Sequence, residues 1–204
     1  RCAGRRSVST DLLRSVEPGM NRRQLLASLS GLDLPNQISG QIPGLPRNVD
    51  GILVYGSRAR GDSVEGSDLD LLALVPMARP TMSRSDVSVS FYTEAQLRTG
   101  IGTLFGAHLK RDARVLWDPS GRLRELVDGM GGVDTRRLKS RASMMSSLFT
   151  TPNADLPRYL EGMLRQARFL LRSSLYAQAI EEGDPCFSVR ELARRLHDPQ
   201  LTQL

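Results

Sequence analysis

Two short apolar runs frame the middle of the chain. Residues 52–55 read Ile-Leu-Val-Tyr and end in Gly56-Ser57. Residues 69–75 open behind Asp68 and carry one charge, Asp70. Both runs are short, bounded by turn residues and rich in Val, Ile and Leu, which predicts two buried strands rather than a helix. A polar link punctuated by Gly61 and Gly66 joins them. Residues 86–93 alternate in polarity and predict a third strand, and residues 113–117 a short fourth one before Asp118-Pro119. Residues 94–109 predict a helix that Gly100, Gly102 and Gly106 weaken. A helix over residues 120–130 follows, and Gly131-Gly132 breaks the chain.

The pattern changes on either side of this block. Residues 8–31 predict one or two short helices. Ser9 or Thr10 can cap the first, and Asn21 a second that runs through Leu25, Leu26 and Leu29. No basic recognition face marks them, so they are expected to be a packing pair. Residues 34–47 hold Pro35, Pro43 and Pro46 with Gly40 and Gly44, which predicts mostly loop. From Asp134 onward the period is helical. Residues 135–148 form one helix, and residues 156–182 a long one with Leu160, Leu164, Ala167, Leu171, Leu175 and Ala179 at spacings of three and four. Ser188 caps a last helix to His197, with Glu191 at its third position as in a capping box. Three parts follow: residues 1–47, helices and a Pro/Gly-rich loop; residues 48–132, the strand-bearing domain; residues 133–204, a helical domain. The fold class is α+β, a small mixed sheet flanked by helices and followed by a helical bundle.

The chemistry concentrates between the first two strands. Gly56 lets the backbone approach another group closely, and Ser57 adds a hydroxyl at the strand end. If Ser57 to Arg60 start a helical turn, their free N–H groups favour an anion. Side chains alternate along a strand, so Asp68 and Asp70 share one face and Leu69 and Leu71 the other. Two carboxylates about 7 Å apart repel unless a cation lies between them. Such hard oxygen ligands suit Mg²⁺, which also binds substrate phosphates. A phosphate cradle beside a metal-binding carboxylate pair is the apparatus of nucleotidyl transfer.

The stretch Gly56, Ser57, Arg58, Arg60, Gly61, Asp62, Ser67, Asp68, Leu69, Asp70 resembles the nucleotidyltransferase superfamily that includes DNA polymerase β. The closest likeness is to its small bacterial members, the minimal and aminoglycoside-type enzymes, and it spans about residues 45–118. The resemblance implies that Asp68 and Asp70 hold Mg²⁺ around the triphosphate of an NTP such as ATP. Gly56 and Ser57 would hold the terminal phosphates, with Arg58, Arg60 and Ser67 completing the nucleotide site. It further implies transfer of a nucleoside monophosphate to a hydroxyl of a small molecule, protein or RNA. Small bacterial members often act in toxin–antitoxin or defence modules with a helical partner protein. The family's third carboxylate usually comes from the next antiparallel strand, here residues 86–93, but Ser90 stands where it is expected. Asp86 shares that face and is the leading catalytic candidate, Glu65 and Glu94 are alternatives, and the acid is otherwise missing. A site without it would bind nucleotide or a partner protein and perform no chemistry.

Composition alters this picture little. At 204 residues, 40% hydrophobic and 25% charged, the chain suits a globular protein with a real core. It has no apolar run of about eighteen residues, so no membrane span is expected. It opens on Arg1-Cys2 rather than Met, as a fragment would, and residues 1–9 lack the apolar core of a signal peptide. Cys2 and Cys186 make no disulfide framework, and a reducing cytoplasm is the expectation. The net charge of +6 admits a nucleic-acid acceptor, but the excess is almost all Arg, as a GC-rich genome yields whatever the function. With 5% aromatics, an extended base-stacking platform is not expected. His108 reads as a surface or boundary residue near a helix end. Arg190 and His197 match a loose ribonuclease spacing that one Arg-rich helix meets by chance, and residues 143–147 read as core and helix surface.

Overall fold

The computed structural model describes residues 19–149 and 156–204. Helix α1 (Arg22–Ser28) starts on Asn21, whose side chain accepts from the Gln24 N–H while Gln24 returns the bond, a complete capping box. The first-helix caps expected at Ser9 or Thr10 lie outside the described residues. Residues 34–47 are mostly loop, but Asn36–Gln41 within them form a short helix, α2. The prolines that argued against it stand outside its ends, where they break no helical hydrogen bond. Ile38 drives its formation by burying in the core.

Strand β1 (Gly51–Tyr55) leads into a short helix, α3 (Gly56–Arg60), and the link returns to β2 (Leu69–Leu74). An edge strand that the sequence pattern does not show, β3 (Met82–Arg84), precedes β4 (Val87–Tyr92). All three β3 residues are exposed, so no apolar alternation marked it. Helix α4 (Glu94–Arg98), α5 (Leu104–Asp112), β5 (Arg114–Trp117) and α6 (Arg122–Asp128) follow. The single helix expected over residues 94–109 is two helices. Gly102 takes φ +77° between them, and Thr103 caps the second through Gly106 N–H at 3.1 Å. Helix α7 (Thr135–Ser146), α8 (Leu156–Glu181) and α9 (Val189–Arg195) complete the chain.

The five strands form one mixed sheet in the order β3-β4-β2-β1-β5. One face, with Ile52, Val54, Leu69, Leu71, Val87 and Val89, packs on Leu25 of α1, on Leu29 at its end and on Ile38 of α2. The other, with Leu53, Leu72 and Leu74, packs on Leu97, Leu109, Leu123 and Leu126 of the later helices. Strand β1 is antiparallel to β2, pairing Tyr55 with Asp70. Strand β4 is parallel to β2, pairing Asp70 with Ser88 and Leu72 with Ser90. The third strand is therefore not the antiparallel neighbour of β2. Its antiparallel partner is β3, and Asp86 occupies the hairpin turn between them. Among the described residues, no helix is long and apolar enough to cross a membrane.

Candidate active site

The site is built where β1 ends against the start of β2. Gly56 has φ +81°, and a Cβ there would lie 2.8 Å from Asp70 Oδ2. Glycine is required twice, once by the backbone conformation and once by the carboxylate pressed against it. Tyr55 supplies no side-chain cap to α3, so its first turn keeps N–H groups available beside that carboxylate. Asp68 is exposed and Asp70 half-buried, while Leu69 and Leu71 bury in the opposite layer. Burial, then the charge of Asp68, raises the Asp70 carboxyl above its usual range, and Arg60 opposes them. A negative charge held at such cost is one that a cation would relieve. Two hard carboxylates beside the turn, Asp68 and Asp70, are the kind of oxygen ligand that fits Mg²⁺.

Arg58 and Ser67 shape the connecting loop. The Arg58 guanidinium is buried and donates to the Ser67 carbonyl from Nε at 3.1 Å and Nη2 at 2.6 Å, and to the Asp33 carbonyl at 3.4 Å. The Ser67 hydroxyl accepts from Val64 N–H at 2.8 Å. The Ser57 carbonyl accepts from the Gly61 and Asp62 N–H groups and closes the helical turn. Arg60 donates to Asp62 at 3.2 Å, to His108 Nε2 at 3.0 Å and to Asp112 at 3.4 Å. A guanidinium cannot accept a hydrogen bond, so His108 Nε2 carries a lone pair and the ring is neutral. Burial, then Arg60 and Arg111, lower its pKa to about 4.

None of the three candidate acids is brought against Asp70. Asp86 lies at the Asp68 end of the sheet, its carbonyl accepting from Leu69 N–H at 2.7 Å and its N–H donating to Gln41 Oε1 at 3.0 Å. With Glu65 it lines a cavity of about 460 Å³ floored by Arg58 and Ser67. Glu94 is held by Arg98 at 2.8 Å and Arg122 at 3.4 Å. Among the described residues, no three carboxylate, imidazole or thiol groups converge as a metal site. The Ser90 side chain instead lies near the Tyr55 phenol, which burial, then the Asp70 charge, pushes up to about 12. Sequence reasoning missed Tyr55, although antiparallel pairing of the two predicted strands would have placed it opposite Asp70.

Residues 41–110 match the family model described as a nucleotidyltransferase domain. This segment is a nucleotidyltransferase domain. Among solved structures, the chain is similar to a toxin–antitoxin with AMP-PNP, at 15% identity and TM-score 0.37 over 64% of this chain and 99% of that one. It is also similar to a putative nucleotidyltransferase from Sulfolobus solfataricus, at 16% identity and TM-score 0.27 over 48% and 80%. A nucleotidyltransferase-like protein from Exiguobacterium sibiricum 255-15 matches at 18% identity and TM-score 0.33 over 76% and 59%. No curated protein matches the chain.

The C-terminal helices grip the nucleotidyltransferase domain at the loop that follows α3. Arg190 Nη1 donates to the Asp62 carbonyl at 2.6 Å, and the Ser188 hydroxyl donates to the Asp62 carboxylate. Ser188 caps α9 by accepting from Glu191 N–H at 3.3 Å. The Glu191 side chain pairs with Arg111 at 2.9 Å and with Arg195. His108 is a boundary residue of intermediate burial rather than a surface one. It stacks on Phe187 at 5.4 Å and meets Tyr55 edge-on at 6.1 Å, and Phe187 in turn meets Tyr176 of α8 at 5.6 Å. Arg190 is committed to this contact with the loop.

Proposed function

We propose that the chain transfers a nucleoside monophosphate from an NTP to a hydroxyl, with release of pyrophosphate. The observation that carries this reading is the contact between the Gly56 backbone and the Asp70 carboxylate, beside an uncapped helical turn. Asp68 and Asp70 are the residues that would hold Mg²⁺. When bound, the ion would neutralise phosphate charge and stabilise the leaving pyrophosphate. The N–H groups of the Gly56-Ser57 turn and the Ser57 hydroxyl orient the terminal phosphates. Arg58 and Ser67 act at one remove, fixing the loop that sets Asp68 at the mouth of the site. Arg60 contributes positive charge from behind Asp70 while anchored to Asp62 and Asp112. Asp86 is the proposed third acid, because the parallel register puts its backbone at the Asp68 end of the sheet.

The acceptor classes are those of the family resemblance: a small molecule, a protein side chain or an RNA 3′ end. A toxin–antitoxin or defence setting with a helical partner, in the cytoplasm, belongs to the same reading. A second reading, nucleotide binding without transfer, is favoured by one observation: Ser90 stands where the third acid is expected. Calorimetric NTP binding with Mg²⁺, paired with pyrophosphate release, separates the two. The transfer reading expects release by the wild type and its loss in Asp70→Asn. Asp86→Asn should keep binding within a few-fold and cut turnover by roughly two to four orders of magnitude. Binding without release from any acceptor class would leave the binding module as the function.

A further inference from the structure

We propose that the outward face of α8 docks an acidic amphipathic helix of another protein. Only the end of the periodic stripe of α8 packs inward, where Leu175 and Ala179 meet Cys186 and Leu192. Leu170, Ser173 and Ala177 point into the fold. Leu160, Leu164 and Leu171 remain 48%, 52% and 45% exposed. At about 100° per residue these three leucines fall in one narrow band, spaced as the seam of a two-helix contact. Continuing around the helix from that band, away from the inward face, come Arg168, Arg172 and Arg165. Among the described residues, Arg165 and Arg168 have no ion-pair partner. A leucine seam bordered by free guanidinium groups is complementary to a helix with its own apolar stripe and a flank of Asp or Glu.

Charge decides against a second copy of this chain as the occupant. Helix α8 carries Arg158, Arg165, Arg168 and Arg172 against Glu161 and Glu181, and α7 carries Arg136, Arg137, Lys139 and Arg141 with no acid. Lys139 is already paired with Glu181. Two such surfaces face to face would set Arg against Arg. The leucines weigh against nucleic acid, whose backbone is bound through cations rather than an apolar stripe.

The inference is independent of nucleotidyl transfer and is tested without it. The probe is a fluorescein-labelled synthetic helix of about three heptads, with Leu at the seam and Glu on the flanks. Its twin carries Lys in place of Glu. Fluorescence anisotropy with the whole chain is expected to show the acidic helix binding at least about tenfold more tightly than the twin. Leu164→Asn with Leu171→Asn should weaken that binding at least about tenfold, while circular dichroism stays native because both positions are half exposed. Arg165→Glu with Arg168→Glu should reverse the preference between the peptides. Equal binding of the two peptides, or a leucine double variant that binds like the wild type, would overturn the proposal. So would a homodimer in sedimentation that the leucine substitutions dissolve. Leucine-dependent binding of tRNA or of phosphatidylglycerol vesicles would reassign the face and overturn it as well.

Discussion

Gly56 and His108 show how much of the site rests on single residues. At Gly56 any side chain must take an unfavourable φ and also displace the Asp70 carboxylate, 2.8 Å from where Cβ would stand. Gly56→Ala is therefore expected to cost about 1–3 kcal/mol in stability and to lower pyrophosphate release by at least about a hundredfold. Thermal unfolding and turnover, measured on the same sample, check both. A variant with wild-type turnover would show that the contact does not set the geometry of Asp70. His108 is held neutral, with its pKa lowered from 6.5 to about 4 by burial and by Arg60 and Arg111. The unfolded chain binds a proton there at a pH where the folded chain does not. The contribution of His108 to stability is thus complete above about pH 6.5 and is lost as pH falls toward 4, by roughly 2–3 kcal/mol. Denaturant unfolding of the wild type and of His108→Gln, compared between pH 7 and 4.5, should show a shallower pH slope in the variant. An imidazole resonance that titrates near 6.5 in the folded protein would contradict the burial argument.

At the scale of elements, legibility followed burial. Strands β1 and β2 and the Asp68-Leu69-Asp70 alternation were readable because both sheet faces are covered, so apolar runs mark the strands and the two acids stand out. Strand β3 is exposed throughout and has no pattern to read. Its absence from the reading made β4 look antiparallel to β2, whereas the two strands pair in parallel. Helix α2 was hidden by prolines that lie just outside it. The long helix shows the converse in part, since Leu160, Leu164 and Leu171 of its periodic stripe stay exposed while Leu175 and Ala179 pack on Cys186 and Leu192. The contact of α9 with the Asp62 loop left no local sequence signal, because its partners are more than a hundred residues apart. That contact carries a prediction. Arg190 Nη1 is a charged donor to the Asp62 carbonyl at 2.6 Å in a part-buried position. Arg190→Ala should cost about 1–3 kcal/mol and raise KM for the NTP more than it lowers kcat, because it loosens the phosphate turn without touching the reacting atoms. A fall in kcat at unchanged KM would place Arg190 at the chemistry instead.

Across the whole molecule, the question is whether the helical C-terminal part and the nucleotidyltransferase domain melt together. The sequence drew a boundary at Gly131-Gly132, and the composition does change there. The packing ties the two sides across it. Phe187 is buried, stacks on His108 of α5 and meets Tyr176 of α8, so one ring joins helices from both parts. Arg111 with Glu191, and Asp62 with Ser188 and Arg190, add polar contacts on either side of that ring. An interface with a buried aromatic at its centre and charged pairs around it is built like a domain interior rather than like a sliding contact. Scanning calorimetry is therefore expected to show one transition, with calorimetric and van't Hoff enthalpies equal. Phe187→Ala should move that transition as a unit. Removing a buried Phe costs about 3–5 kcal/mol, and a chain of this size loses about 2–4 °C per kcal/mol, so a drop of roughly 6–20 °C is expected. If Phe187→Ala instead splits the trace, with one component kept at the wild-type temperature, the boundary at Gly131-Gly132 separates two folding units. In that event the grip of α9 on Asp62 is a docking contact between domains, and the pH effect of His108 should follow only the lower transition.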